Sequence, residues 1–330
     1  MTTVLFVRLS AMGDLVQGLG AIQALHAVRP DWRLRVLTQS TFAPLLERLP
    51  FVAGVDTFDR RGGLRAAWTT IRALRRQPID VAVDLQGNWK SALFTRCSGA
   101  RERLGLRGAW RQEPASGVLL RRRLVAPGVP HPARAAMVLV QALAAEALES
   151  PPCLVAGVDE IERENHALRA IGVDAAQPFG VVVVTDPVDP RALRPEVVAT
   201  LPRQAALPVV QLLGPAEAGV APVPGLPILR HAPGELRRLV ALGACGALAG
   251  GVAFGPDQGA THVLAAAGMR TKVWFGPQDP ERTAPPRATV LLHPKGPACR
   301  PCRRSQCHHP EGPVCMAFSL DEAKSVPPPQ

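Results

Sequence analysis

Apolar residues in this chain come in short aliphatic runs, each followed by a longer stretch of helical period. Val4–Arg8 reads as a buried strand, and Asp14–Val28 as a helix that stops before Arg29-Pro30. Strand Leu34–Thr38, helix Thr41–Arg48, strand Val52–Phe58, helix Leu64–Arg76 and strand Ile79–Leu85 follow. Strands without polar alternation, separated by helices, predict a parallel sheet covered on both faces. Pro114–Pro132 is basic and loop-like, Ala133–Leu148 is an Ala/Leu-rich helix, and Pro151-Pro152 with Asp159–Arg169 forms a linker and connecting helix. The alternation then restarts with strand Phe179–Thr185, helix Pro195–Ala205, strand Pro208–Leu213, helix Gly234–Leu242, strand Ala247–Phe254, helix Gly259–Ala267 and strand Thr271–Phe275. The expected organisation is an N-terminal α/β domain over residues 1–158, a linker helix over 159–177 and a second α/β domain over 178–330. Two doubly wound units in tandem place a ligand in the crevice between them.

Composition narrows the class. With 330 residues, 47% hydrophobic and 20% charged, the chain supports two cores and excludes disorder, collagen and coiled coil. Leu239–Pro256 is uncharged for 18 residues, but its five Gly favour a buried helix followed by a strand over a membrane span. The first apolar run is broken by Arg8 and then Asp14, unlike a signal peptide, so the expectation is a cytoplasmic protein, soluble or peripheral on a membrane. The net charge of +11 is unevenly placed: residues 1–150 hold 21 Lys and Arg against 11 Asp and Glu, and the rest is nearly neutral. The basic half is expected to meet a large anion: a phosphorylated lipid, an acidic protein or nucleic acid. Within it, Arg96–Arg134 holds nine Arg, including Arg111, Arg121, Arg122 and Arg123. Aromatics are only 4% and do not interleave with the Arg residues, which leaves a nucleic-acid binder without stacking platforms.

Four stretches carry candidate chemistry. In Arg8-Leu9-Ser10-Ala11-Met12-Gly13-Asp14, Gly13 suits a tight turn and Asp14 falls at the carboxyl edge of the first sheet. A carboxylate there caps the helix or serves as a general base toward a substrate hydroxyl; position alone favours the cap. Asp84-Leu85-Gln86-Gly87-Asn88-Trp89-Lys90-Ser91 is a second strand end, where Gln86, Lys90 and Ser91 offer donors or make an ordinary turn. Gly255-Pro256-Asp257-Gln258-Gly259-Ala260-Thr261-His262 is a strand, a Gly-rich turn and a small-residue helix. Such a helix start offers free amides to a phosphate, Asp257 could accept from a ribose, and His262 is either a phosphate donor or a core histidine. Cys299-x2-Cys302-x4-Cys307-x7-Cys315 has ligand types for a closed structural zinc or iron site, or is a set of reduced thiols in a Pro-rich loop.

Together, in this order, these residues resemble glycosyltransferase family 9, the bacterial heptosyltransferases of lipopolysaccharide core biosynthesis. The resemblance implies a GT-B fold: two Rossmann-like doubly wound α/β domains facing each other across a cleft. It implies inverting, metal-independent transfer from an ADP-heptose donor to an anionic lipid-linked acceptor, at the inner face of the inner membrane; related transferases use a protein acceptor. Asp14 matches the family's base, with Ser10, Gly13, Gln86, Lys90 and Arg121–Arg123 on the acceptor side. Asp257, Gln258, Gly259, Ala260 and His262 fall on the nucleotide-sugar motif, and Glu217 falls where the family places a ribose-binding acid. The chain departs from the pattern twice: Gln258 stands where a Thr or Ser is usual. The segment Thr185–Pro195 lacks the phosphate-binding Lys, leaving Arg191 and then Arg194 as replacements. A family member that has lost donor binding is the alternative these departures leave open.

Overall fold

The computed structural model describes residues 1–327. The chain divides into one compact unit, Met1–Pro152, and a second that begins at Cys153. Unit 1 contains β1 (Thr3–Val7), α1 (Met12–Val28), β2 (Arg33–Gln39), β3 (Gly54–Phe58), α2 (Gly63–Leu74), β4 (Val81–Asp84), α3 (Trp89–Cys97), β5 (Glu102–Leu106), β6 (Arg122–Leu124) and α4 (Pro132–Gln141). Its six strands lie in the order β3-β2-β1-β4-β5-β6 and are all parallel. α2 and α3 cover one face, where Ile71, Leu74 and Phe94 pack with Leu5, Val7 and Phe58. α1 packs against α4. At Gly20 in α1 a Cβ would lie 2.0 Å from the Ser150 carbonyl oxygen, so only glycine lets the end of the unit close over this helix.

Unit 2 contains α5 (Val158–Ala170), β7 (Gly180–Val183), α6 (Pro195–Ala205), β8 (Val209–Leu213), β9 (Ile228–Arg230), α7 (Leu236–Leu248), β10 (Val252–Pro256), α8 (Gly259–Ala266), β11 (Arg270–Phe275), α9 (Pro280–Thr283), β12 (Thr289–Leu292) and β13 (Lys324–Val326). The sheet runs β13-β12-β11-β10-β7-β8-β9, parallel except for the antiparallel β12–β13 pair. Read outward from its first strand, each unit has the order 3-2-1-4-5-6 of a dinucleotide-binding sheet. In unit 2, Trp274, Phe254 and Phe318 fill the core beside α6, and the Trp274 indole donates to the Phe318 carbonyl at 3.1 Å.

Several elements differ from the periodicity reading. Thr41–Arg48 is a 3-10 segment over Ser40–Leu46, because Pro44 cannot donate to an α-helical ladder. The Ala133–Leu148 helix ends at Gln141: the chain turns so that Glu146 pairs with Arg29 at 2.5 Å and the Gln141 amide reaches the Ala147 carbonyl. The helix expected over Gly234–Leu242 starts at Leu236 and runs on to Leu248; Gly250, at φ +73°, follows it, and β10 begins at Val252 rather than Ala247. Within the basic Pro114–Pro132 stretch lies β6, only three residues long.

The helix α5, expected as part of a linker, packs inside unit 2. Arg237 Nε donates to Glu160 Oε1 at 2.8 Å and Arg238 Nε to Glu164 Oε2 at 2.9 Å, with His231 3.1 Å from Glu164 Oε1. Burial pushes the Glu164 carboxyl up, but hydrogen bonds from His231 and Arg238 outweigh it and hold it below its ordinary value. Among the described residues no helix is long and apolar enough to cross a membrane.

Candidate active site

All loops that leave the carboxyl ends of parallel strands collect along one edge of a sheet. The chain winds outward in both directions from its first strand, so the loops after β1 and β4, and after β7 and β10, part to leave a crevice at that edge. The first three motifs sit on these four loops.

In unit 1, the β1 loop leads into α1 with Asp14 in its first turn. The Asp14 carboxylate accepts from the Ala11 amide at 3.3 Å, so the capping reading is realised. It is also ion-paired to Arg8, which is buried at the end of β1 and donates through Nη1 to the Leu85 carbonyl at 2.5 Å. Asp14 keeps 24% of its side-chain surface in solvent, enough to be reached from outside. Gly13 is buried inside α1, and the turn expected there is made upstream at Leu9–Ala11.

Gln86, 6% exposed, is consumed by the neighbouring loop: its Oε1 accepts from the Leu9 amide at 2.8 Å and its Nε2 donates to Ser10 Oγ at 3.1 Å. Its position is that of a brace for the Asp14 loop, and the acceptor-side donors at this edge reduce to the exposed Lys90 and the half-buried Ser10. Behind Gln86, the Asp84 carboxylate accepts from the Gln86 and Gly87 amides at 3.1 and 2.9 Å. It also pairs with Arg111 Nη2 at 2.8 Å, with both side chains sealed from solvent. Arg111 further donates to Ser116 Oγ at 2.6 Å, fixing the loop between β5 and β6. Arg111 therefore leaves the solvent-facing basic patch in which its position in the sequence had placed it.

Arg121, Arg122 and Arg123 are exposed but do not form one cluster. Successive strand residues point to opposite faces, and Arg122 Nη1 reaches the Ala142 carbonyl at 3.4 Å while Arg123 Cδ stands 3.5 Å from where a Cβ on Gly117 would lie. Arg121 Nη1 donates to the Arg101 carbonyl at 3.0 Å. Burial, then repulsion from Arg96 and Arg121, lowers the Arg103 pKa from its ordinary value.

In unit 2, Arg191 Nη1 donates to the Asp257 carbonyl at 3.0 Å, tying the β7 loop to the β10 loop. Its Nε and Nη2 fork onto Asp189 at 2.9 and 2.6 Å. The hydrogen bond to Asp189 raises the Arg191 pKa; burial pushes the Asp189 carboxyl up, and Arg191 more than reverses it. Gln258 is the residue before α8, its amide 3.4 Å from Asp189 Oδ2, and Gly259 and Ala260 form the helix start whose first amides have no partner within the helix. His262 is buried and 2.9 Å from Asp257 Oδ1, so the pair is a built unit rather than two separate ligands. A Cβ on Gly255 would lie 2.7 Å from Thr261 Oγ1, which makes glycine a condition for seating α8 against β10. Thr185, 6% exposed, carries a buried hydroxyl with no hydrogen-bond partner. Burial, then the charges of Asp186 and Asp189, raises the Glu217 carboxyl above its ordinary value. Arg194 lines a different cavity with Glu196, Phe318 and Glu322, away from these residues.

Cys299, Cys302, Cys307 and Cys315 line one cavity of about 470 Å³ with His308 and His309. Cys315 is buried beside Gly276, and burial, with the neighbouring Cys302, Cys307 and Cys299, pushes its thiol up to about 11. Among the described residues no three His, Cys, Asp or Glu side chains converge as metal ligands, so the cysteines share a cavity without forming a tetrahedral site.

Asp189, Asp84 and Arg111 were not legible as site residues. Arg8 had one signal, a single cation closing an apolar strand six residues before Asp14.

Each unit has a Rossmann strand order, the first presenting the Asp14 carboxylate and the second the free amides of the α8 start, a fold shared with GT-B-type glycosyltransferases. A sequence profile of glycosyltransferase family 9 (heptosyltransferase) matches residues 67–182. Lipopolysaccharide heptosyltransferase 1 of Pseudomonas aeruginosa is 28% identical over 92% of this chain and 87% of its own length. A shorter match, to the lipopolysaccharide core heptosyltransferase OpsX of Haemophilus influenzae, is 22% identical and takes in 38% of this chain and 35% of that one. The structure of Escherichia coli ADP-heptose lipopolysaccharide heptosyltransferase II superposes with a TM-score of 0.67 at 22% identity, covering 90% of this chain and 92% of that one. The iron-containing dodecameric glycosyltransferase TibC of enterotoxigenic E. coli shares the fold with a TM-score of 0.57 at 13% identity, over 97% of this chain and 73% of that one. The chain is thus similar to heptosyltransferases of glycosyltransferase family 9, by the profile over residues 67–182 and by these relatives.

Proposed function

We propose that the protein transfers heptose, or a related sugar, from an ADP-activated donor to an anionic acceptor of lipopolysaccharide core assembly, on the cytoplasmic side of the membrane. The observation that carries this reading is the gathering of motif residues from separate loops at the switch point of each sheet. The family's relatives with ADP-heptose in their names support the donor.

In this reading unit 1 receives the acceptor and unit 2 the donor. An acceptor hydroxyl oxygen attacks the anomeric carbon, forming the new glycosidic bond. The bond from that carbon to the diphosphate oxygen breaks, and its electron pair leaves with ADP. Asp14 takes the hydroxyl proton. The departing charge meets the α8 amides at Gly259 and Ala260, the Thr185 hydroxyl and Arg191, groups already in place before the charge develops. Asp257 and Glu217 offer acceptors to ribose hydroxyls. Inversion at the anomeric carbon follows from a single displacement.

The test is binding before turnover. ADP is expected to raise the melting temperature, with a stabilisation of about 2.7 kcal/mol at one hundred times Kd. UDP and GDP serve as comparisons, and silence toward all three nucleotides removes the donor reading. Labelled donor, followed by separation of lipid and protein fractions, then tells a lipid acceptor from a protein one. No step of the transfer runs through the cysteine cavity. Elemental analysis of the purified protein, before and after chelation, tests the expectation of a structural zinc or iron there.

A further inference from the structure

Unit 1 carries a surface that the transfer chemistry does not use. α2 turns Ile71 and Leu74 into the core, and its Thr70 hydroxyl donates to the Thr57 carbonyl at 2.9 Å, which settles its orientation. Its outer side exposes Leu64 to 91% and, one turn on, Trp68 to 61%. α3 lies on the same face of the sheet through Phe94, and Arg75 Nε, just beyond α2, donates to the carbonyl of Cys97 at the end of α3 at 2.8 Å. The outer side of α3 shows Trp89 and Leu93, each 47% exposed. Two adjacent helices thus each hold a Trp and a Leu in water at i, i+4 spacing.

The charge around these residues is mostly positive, with two acids at the helix starts: Asp59 caps the turn before α2, and Glu113 accepts from the Trp89 amide at 2.6 Å. Arg60, Arg61, Arg65, Arg72, Arg75 and Arg76 are all exposed, and no Asp or Glu occurs from Arg60 to Ile79. The first turn of α2 has no acid, although a helix N-terminus favours negative charge. Of the arginines, Arg65 stands in that first turn, whereas Arg72, Arg75 and Arg76 stand at the end of α2, which favours cations.

Apolar anchors ringed by arginines match an interfacial helix, with Trp at headgroup depth and the cations on anionic lipid. A second copy of the same face would set six arginines against six more, a like-charge contact that opposes association. The position of the face is also informative. β1, β3 and β4 are parallel, so the starts of α1, α2 and α3 lie along one sheet edge, and Leu64 and Trp89 stand in first turns beside the edge that holds Asp14. We propose that the α2–α3 face docks unit 1 on an anionic bilayer, with Leu64 and Trp68 entering the headgroup boundary and the Asp14 edge held toward an acceptor anchored in that bilayer. This rests on the reading of unit 1 as the acceptor unit.

Vesicle flotation tests it with no donor present. The full chain binds vesicles containing phosphatidylglycerol and far less to vesicles of phosphatidylcholine alone. Leu64→Ser with Trp68→Ser lowers partitioning at least about tenfold, since two apolar anchors are lost. The triple change Arg61→Gln, Arg65→Gln and Arg72→Gln weakens binding and flattens its salt dependence. Unchanged melting temperatures show that both variants fold, as expected for exposed positions. Brominated acyl chains quench part of the tryptophan emission, and Trp68→Phe removes most of that quenching. Undiminished vesicle binding by the Leu64, Trp68 variant overturns the proposal. So does a loss of self-association in that variant without vesicles, which assigns the face to a second copy. Transfer to a deacylated, soluble acceptor keeps the two readings apart: the Leu64, Trp68 variant retains it at wild-type rate. A protein that binds vesicles through α2 but transfers nothing retains the docking face and loses the transferase reading.

Discussion

The two sheets share one strand order, and their edges are nevertheless built with opposite chemistry. At the β1–β4 edge the controlling groups are cations held inside: Arg8 on Asp14 within the β1 loop, and Arg111, from the loop between β5 and β6, on Asp84 at the end of β4. At the β7–β10 edge Arg191 pairs with Asp189, and beyond β8 Glu217 is raised by burial and then by the charges of Asp186 and Asp189. A common topology supplies a crevice and free helix starts; the side chains decide what enters. A carboxylate with a fixed neighbour suits proton removal from a hydroxyl. A helix start with a cation and several oxygen acceptors suits a nucleotide diphosphate with its ribose.

The largest expected effect breaks the unit 1 side of this comparison. Asp14→Asn should lower single-turnover transfer by about 10²–10⁴-fold, the range for loss of a general base, while the ADP-induced rise in melting temperature stays. Retained turnover would make Asp14 a helix cap only, the reading that its contact with the Ala11 amide already satisfies.

Next in size is the buried brace. Asp84→Ala leaves Arg111 charged and sealed from water, and should cost about 3–5 kcal/mol in denaturant unfolding. Arg111→Met alone should cost a similar amount, and the double variant less than the sum of the two, because one buried ion no longer faces the absence of the other. Additive losses would mean that the pair does not act as a unit.

On the unit 2 side, Arg191→Lys keeps a charge but gives up the fork on Asp189 and the bond to the Asp257 carbonyl. The expected result is a donor KM raised about tenfold with a smaller change in kcat, a split worth ~1.4 kcal/mol of binding. Equal losses in acceptor and donor KM would argue against separate roles for the two edges.

The smallest effect concerns Glu217. Its pKa is raised in the folded protein, so its contribution to stability is present below the unfolded value and lost as pH rises through the folded one. Glu217→Gln should therefore stabilise the protein near neutral pH, by less than about 1 kcal/mol given solvent screening, with no gain in acid. If Glu217 accepts from ribose, the same variant binds ADP more weakly, so stability and affinity move in opposite directions.

How much was legible follows the range of the interactions. The strands β1, β4, β7 and β10 and the turns after them could be read because each motif is a continuous stretch whose pattern switches from strand to helix within a few residues. β6 could not, since three residues on a sheet edge draw their structure from pairing with β5 rather than from their own periodicity. The Arg121–Arg123 run looked like one patch because proximity in sequence was taken for proximity in space; strand alternation separates its members. Arg111 looked like part of the same patch for the same reason, although its partner lies 27 positions away.

The chain by itself therefore determined the α/β class, the repeat of the unit and the identity of the motif residues, all carried by local periodicity and by the turn chemistry at strand ends. Tertiary structure alone decided which of those residues remain available. Gln86 was taken up as a brace, His262 was bound to Asp257, and Arg8 was turned onto Asp14. It also left Leu64 and Trp68 in water on a helix whose opposite side is core. The physical reason is that burial and pairing are set by contacts between loops brought together by sheet order, and sheet order is not written in any one segment.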